Sequence, residues 1–520
     1  MNISRNLVIC FLFFCWLIYS CKDYYRNKSN AAISTSSIRN GEQLAVKYCQ
    51  SCHMLPDPAL LDAKTWDEGV LPHMGPRLGI FDFFYRKYPS ARNDEFLSKN
   101  FYPSKPLLRV EEWTDLVNYY TATSPDTLPK QPAGKGIKTG LSLFEVQEPK
   151  YAFPSPSVTF IKIDESHGGQ LIVCDATKNM YTINKGLEII DSVSTPGIIV
   201  DIDFGKESLV ACNIGFMNPT NGKFGQSHLL QANSLGKMAI NPSPIFANLQ
   251  RPIQITSSDL NSDGAMDYLV CEFGNLDGAL SWMENLGENK FKRHVLRATP
   301  GATKVIVQDI NKDGLPDFWV LFAQGDERII LFQNEGKGQF SQQEILQFPP
   351  AYGSTYFELV DFNKDGFQDI IYTCGDNSDY SQILKPYHGV YIYLNDTKNR
   401  FVKKVFFPIN GCYKAMARDY DGDGDLDIAA ISFFADYLKK PEEGFVYLQN
   451  NGKYNFEPLT APEATKGRWL TMDVGDFNVD GKIDIVLGNF SVAPTMIKSN
   501  IDWQKGPPFL MLKNIGSQGK

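Results

Sequence analysis

The run Cys49-Gln50-Ser51-Cys52-His53 holds two thiols and an imidazole within five residues. Thiols at i and i+3 lie on one side of a helical turn, so each can add to one vinyl group of a haem, with His53 under the iron. The pattern reads as a c-type haem attachment site. A zinc site would require a second ligand pair nearby, and a thioredoxin-type dithiol a preceding strand and no histidine. Residues 39–125 offer neither.

Two segments must position this motif. A short helical pattern, Gly41 to Tyr48, runs into it, and Val110 to Thr123 is amphipathic with Trp113, Leu116, Val117 and Tyr120 on one stripe. Together residues 39–125 resemble a small class I cytochrome c domain. The resemblance implies that the first and last helices cross beside the haem and that a Met thioether or a second His is the sixth ligand. Met54 adjoins His53 and falls on the wrong side of the iron, which leaves Met74, in Val70-Leu71-Pro72-His73-Met74-Gly75-Pro76. Pro and Gly around it predict a non-helical loop over the distal face. His73 competes, and an open distal site with Met74 as core is the third reading. The separation of His53 and Met74 is shorter than is usual in that family.

The chain has 520 residues, 43% hydrophobic and 21% charged, enough for two or three cores, and its net charge of -8 argues against a nucleic-acid partner. Residues 1–21 read as an export signal, with Arg5 ahead of an apolar run from Leu7 to Tyr19 that is too short to span a bilayer. Ile18-Tyr19-Ser20-Cys21 resembles a bacterial lipobox, which implies cleavage before Cys21 and lipid on its thiol; an unmodified secretory signal is the alternative. Lys22-Asp23 resembles the surface-export signal of lipoproteins in the Bacteroidetes group. The expected location is therefore the cell envelope, as an outer-membrane lipoprotein facing the periplasm or the surface. Residues 22–38 are a polar tether and 126–140 a Pro, Gly and Lys-rich linker. Beyond the signal, Cys21 and the haem motif, Cys174, Cys212, Cys271, Cys374 and Cys412 remain, an odd, scattered set that reads as buried small apolar residues.

Residues 141–520 are repetitive. Five loops share Asp-x-Asn/Asp-x-Asp-Gly-x-x-Asp before an apolar run: Asp259, Asn261, Asp263, Asp267; Asp309, Asn311, Asp313, Asp317; Asp361, Asn363, Asp365, Asp369; Asp419, Asp421, Asp423, Asp427; and Asp476, Asn478, Asp480, Asp484. Oxygen side chains at positions 1, 3, 5 and 9, with Gly at 6 for the sharp turn, suit one hard cation, and calcium fits best. The spacing predicts a propeller or similar array. These loops resemble the FG-GAP or VCBS repeats of integrin-like β-propellers. Asn turns recur at Asn184, Asn233, Asn285, Asn334, Asn395, Asn450 and Asn514, which predicts seven blades, the first two without a calcium loop. The last blade lacks a fourth strand, and Leu141 to Gln147 is expected to supply it and close the ring.

The fold class expected is thus multidomain, a small all-α cytochrome c domain followed by an all-β seven-bladed propeller with calcium-binding loops. Strand alternation puts the calcium loops and Asn turns on one face. Opposite them open four long loops, 215–226, 375–389, 433–444 and 488–506, carrying Phe216, Tyr380, Tyr387, His388, Phe434, Tyr437, Phe490 and Trp503. They form either a binding mouth, for a ligand or for the haem domain, or aromatics packed under their own loops. His167, His228 and His294 are isolated and read as structural or solvent-facing. The expected function is membrane-anchored electron transfer by haem c, with a calcium-stabilised propeller that binds a redox partner, another protein or a glycan. The alternatives are a propeller dehydrogenase of sugars or alcohols that needs a further cofactor such as a quinone, and an adhesion or scaffold protein.

Overall fold

The computed structural model describes residues 33–166, 168–205, 208–232, 237–378, 380–494 and 497–516. The export signal, Cys21 with its expected lipid, His167 and the Asn233 turn lie outside them. Among the described residues no helix is long and apolar enough to cross a membrane.

From Phe144 onward the chain forms seven antiparallel sheets arranged as a propeller. Burial sorts the four strands of a blade. In the third blade the first strand, Pro252–Ser258, is buried at Pro252 and Ile255 and half-buried elsewhere; the second, Asp267–Glu272, is buried throughout; and the outermost, Phe291–Arg297, has no buried residue. A strand packed between neighbouring blades on both faces needs a near-continuous apolar run, which is why the apolar stretch follows each Asp loop in sequence. Cys174, Cys212, Cys271, Cys374 and Cys412 sit on or beside these strands, buried and unpaired.

The seventh blade is completed from the other end of the repeat region. Phe144–Gln147 pairs antiparallel with Phe509–Asn514, from Phe144 opposite Asn514 to Gln147 opposite Met511. The expected closing strand is therefore present, although only 144–147 is extended; Leu141 and Leu143 are buried beside it in the core between the sixth and seventh blades. Two additions were not legible in the sequence. Lys138–Thr139, inside the expected linker, pairs in parallel with the outer strand of the sixth blade, and Phe246–Leu249 adds a fifth strand to the second blade.

Ahead of the propeller stands a small helical unit: α1 (Thr35–Tyr48), α2 (Leu71–Met74) and α3 (Val110–Thr123). Ser34 caps α1 by accepting from Ser37 N–H at 3.2 Å. The stripe on α3 is buried at Trp113, Leu116 and Tyr120 and shares a core with Ala45, Leu61, Trp66 and Leu71. The segment around Met74 departs from expectation. Instead of a loop, residues 65–78 form a continuous helical run in which a π turn leads into α2 and then a 3-10 turn. Pro72 and Pro76 each stand at the start of their piece, where a missing N–H is tolerated, so neither breaks the run.

Ring closure gives a direct test. Phe144 is buried, with its ring 5.4 Å from Tyr447 and 6.1 Å from Tyr420. Phe144→Ala is expected to cost about 3–5 kcal/mol in urea unfolding of the propeller. A loss below about 1 kcal/mol would show that the strand does not hold the ring.

Candidate functional site

The Cys-x-x-Cys-His motif begins where α1 ends. Cys49 is the C-cap residue, its N–H donating to Ala45 O at 2.8 Å, and Cys52 N–H reaches back to Cys49 O at 3.4 Å. Cys49 is half-buried against the helical core, and that burial pushes its thiol up to about 11. Cys52 is exposed. His53 Nδ1 lies 2.8 Å from Met54 O, so a proton on Nδ1 is held by the backbone and Nε2 is left as the lone-pair nitrogen.

Above the motif α1 packs on α3. Gly41 makes the close approach possible, since a Cβ there would lie 2.0 Å from Asp115 O. Ser37 Oγ donates to Asp115, and Asn118 Nδ2 donates to Ser37 Oγ at 2.9 Å, tying the two helices. Met74, half-buried, closes α2. His73 is engaged elsewhere: its ring stacks on Tyr380 of the propeller with centroids 3.9 Å apart. Burial there pulls its imidazole below the ordinary value.

That stack is part of a junction between the helical unit and the long-loop mouth. Tyr387 donates its hydroxyl to Leu60 O at 3.0 Å, with Ala351 O a second acceptor at 3.2 Å. Gly69 lets the backbone meet Tyr380, whose carbonyl oxygen would lie 2.2 Å from a Cβ at that position. On the second blade, Asn221 Nδ2 donates to Asp94 at 2.7 Å, and Phe96 meets Phe224 edge-on at 5.3 Å. The unit therefore straddles the mouth from the fifth blade to the second.

Both readings of the mouth aromatics hold, each for a different set. Tyr380 and Tyr387 meet the helical unit, and Phe216 supports Phe224 at 5.0 Å. Phe434, Phe490, Tyr437 and Trp503 are buried in two small clusters shared between the 433–444 and 488–506 loops. His388 is buried, and burial holds it well below its ordinary value; Gln131 of the linker donates to its carbonyl oxygen at 3.1 Å. Sequence reasoning missed Gly69, Asp94, Phe96 and Asn221, whose only signal was that the last lies in a long loop. His228 and His294 are structural: His228 is buried with Nδ1 3.0 Å from Asn241 O, and His294 lies on Trp282 with Nε2 2.7 Å from Glu284.

The five Asp loops fall on the opposite face, and four of them share one wiring. In the first, Asp259 accepts from Asp263 N–H at 3.1 Å and Gly264 N–H at 3.0 Å, while Asn261 Nδ2 donates to Asp263 at 2.9 Å. The loops at Asp309, Asp361 and Asp476 repeat this, with Asn311, Asn363 and Asn478 donating to Asp313, Asp365 and Asp480. The fourth has Asp in place of Asn. There Asp419, Asp421 and Asp423 bring one carboxylate oxygen each to within 4.8 Å of one another. Three such oxygens suit a hard divalent cation.

Position nine behaves differently. Asp267, Asp317, Asp369, Asp427 and Asp484 are fully buried. One oxygen of each accepts the backbone N–H of an Asn turn, at Asn285, Asn334, Asn395, Asn450 and Asn514, over 2.7 to 2.8 Å. The other accepts from the loop itself in four cases and from the Tyr447 hydroxyl, at 2.5 Å, in the fifth. These carboxylates fasten each loop to its own blade. Neighbouring blades are fastened too, since Asn334 Nδ2 donates to Leu260 O at 2.9 Å and Asn514 Nδ2 to Tyr420 O at 2.7 Å.

The family model for an FG-GAP-like repeat matches residues 259–320, 309–372 and 419–487. The chain is thus a seven-bladed propeller carrying FG-GAP-like repeats, preceded by a helical unit. No curated protein matches it. Among solved structures it is similar to BBS1N in its complex with ARL6DN, at 10% identity over 74% of this chain and 99% of that one, TM-score 0.43. It is also similar to the N-terminal domain of Nup159, at 11% identity over 74% and 98%, TM-score 0.42. Sqt1 of Saccharomyces cerevisiae aligns at 9% identity over 71% and 98%, TM-score 0.43.

The helix crossing is testable without any ligand. Gly41→Val places a branched side chain against the Asp115 carbonyl and is expected to destabilise the helical unit by about 1–3 kcal/mol. Loss of the far-UV helical signal at lower urea is the measurement; an unchanged midpoint would mean that the helices do not meet at Gly41.

Proposed function

We propose that this protein is a membrane-anchored c-type cytochrome whose FG-GAP propeller carries and orients the haem-bearing unit and binds a partner. The observation that carries the reading is the placement of Cys49, Cys52 and His53 at the end of α1, beside its crossing with α3. The donor set fits a covalently attached haem: two thiols one turn apart, and a histidine whose Nδ1 is held by a carbonyl so that Nε2 is left to ligate. Met74 is the sixth ligand in this reading, and the stacking of His73 on Tyr380 supports it by giving that imidazole a different role. When bound, the haem supplies one-electron exchange. The chain's own residues attach it, shield one side with the α1–α3 core and fix the helical unit on the propeller through Tyr380, Tyr387 and Asn221.

Calcium in the five Asp loops is the second part of the proposal. Asp419, Asp421 and Asp423 support it most directly, because three clustered carboxylates repel one another unless a cation lies between them. Lipid on Cys21 provides the anchor, which places the protein in the outer membrane with a redox partner protein as its electron donor or acceptor.

Two measurements test these parts separately. The purified protein should show a haem spectrum that survives acid-acetone extraction in the native chain and is absent from Cys49→Ser/Cys52→Ser; Met74→Ala should retain the haem but lose the far-red band of a thioether-ligated ferric iron. A panel of sugars and alcohols should leave the haem oxidised, and reduction by any of them would make the protein a dehydrogenase. Removal of calcium by chelator should lower the melting temperature of the propeller by several degrees with the haem still attached. An unchanged melt would show that the loops stand without the ion.

A further inference from the structure

The helical unit carries an apolar surface that the propeller does not cover. Between Asp82–Phe83 and Arg86–Lys87 a hairpin turns at Phe84 and Tyr85, each 74% exposed, two consecutive aromatics at the tip of a projection. Their surroundings are apolar as well. Phe83, Pro106, Leu108, Val110 and Trp113 line one groove of about 250 Å³, which sets the start of α3 beside the hairpin. Val110 is 62% exposed and Leu107 51%. Leu107 continues the patch toward α1, because Tyr48 donates its hydroxyl to the Leu107 carbonyl at 3.4 Å and Val46 is exposed two residues earlier.

Charge around the patch runs against the rest of the chain. Residues 77–113 contain seven Lys and Arg against five Asp and Glu, a local balance of +2 in a protein of net charge -8. Arg86 and Lys87 directly follow the two aromatics; Arg86 is paired with Asp67 at 2.9 Å, which leaves the exposed Lys87 as the nearer cation for a headgroup. Aromatic side chains at an interface with basic residues behind them match the layering of a bilayer with anionic headgroups, where rings sit at headgroup depth and cations meet phosphate. The route of the chain points the same way. The segment that begins at Cys21 enters this unit, not the propeller, and only eleven residues separate Cys21 from the exposed Ile33. Eleven residues reach at most about 40 Å, so an anchored chain keeps this unit within about one domain diameter of the membrane.

We infer that the Phe84–Tyr85 hairpin docks on an anionic lipid bilayer, with Leu107 and Val110 behind it, so that the helical unit lies on the membrane and does not merely hang from its tether. This rests on the anchor reading above for its orientation, but the contact itself does not need the lipid chain.

The test uses the mature chain from Lys22 onward, exported behind a signal that adds no lipid, mixed with vesicles containing about one-third phosphatidylglycerol. It should float with the vesicles. Binding should weaken with salt and on purely phosphatidylcholine vesicles. Phe84→Ser/Tyr85→Ser should lower the partition coefficient at least about tenfold with the visible and far-UV spectra unchanged, since both side chains are largely exposed. Failure of the lipid-free protein to float would overturn the proposal, as would equal flotation of the double variant. So would a double variant that changes from dimer to monomer, which would assign the tip to a second copy of the chain. Full-length chain that stays on membranes in high salt while the lipid-free chain does not float would leave the anchor standing and remove only the hairpin contact.

Discussion

Seven twisted sheets can close into a ring only if the last blade finds its missing strand, and here four residues, Phe144 to Gln147, supply it. That pairing constrains everything ahead of it. Because the closing strand is the outer strand of the seventh blade, the chain reaches it along the outside of its neighbour, and Lys138–Thr139 accordingly pairs with the outer strand of the sixth. Lys135 donates to Asn455 and to Phe456 O in the same blade, and Gln131 reaches the His388 carbonyl of the fifth. The segment expected to be a free linker is thus laid down on the ring, and it delivers the helical unit to the fifth blade. A linker fixed at several points loses the freedom that a Gly and Pro-rich composition would otherwise give it. The junction through Tyr380, Tyr387 and Asn221 then closes at small entropic cost.

The propeller was legible for a physical reason. Each blade must turn sharply twice on one face, and the residues that permit those turns, Asp with Gly in the loop and Asn in the hairpin, recur at a period that no packing accident reproduces. The closing strand was legible by arithmetic, as one strand short at one end and one apolar stretch spare at the other. What stayed hidden depends on contacts distant in sequence. Lys138–Thr139 has no pattern of its own and is a strand only because an edge lies beside it. The segment around Met74 has the Pro and Gly content of a loop, whereas Pro72 and Pro76 each begin a helical piece and interrupt nothing.

For the sites the division is similar. Cys49, Cys52 and His53 lie within five residues, so their grouping is visible in the sequence alone. The mouth aromatics are not adjacent, and their residue types could not say which would face outward. Phe434 and Phe490 fill space beneath loops that would otherwise be hollow, with Arg468 lying 3.8 Å over the neighbouring Phe433 ring, whereas Tyr380 and Tyr387 come up against a second unit. The difference lies in loop length and in what stands opposite, and neither is written in the loop itself.

The Asp loops separate two roles that share one motif. Position nine is buried and in four of the five loops accepts backbone N–H groups with both oxygens, so there it can organise loop and hairpin whether or not an ion is present. Position one likewise takes the N–H groups of positions five and six, or of four and six at Asp419, which bends the loop into its final path. The remaining charge is greatest where Asp421 replaces the Asn of the other four loops and three carboxylates crowd together. In the other four, the Asn amide donates to the position-five carboxylate and already offsets part of that repulsion. Carboxylate repulsion therefore differs among five loops of nearly the same sequence. It is strongest in the sixth blade, whose outer edge also receives the Lys138–Thr139 strand and so bears the chain that holds the helical unit in place.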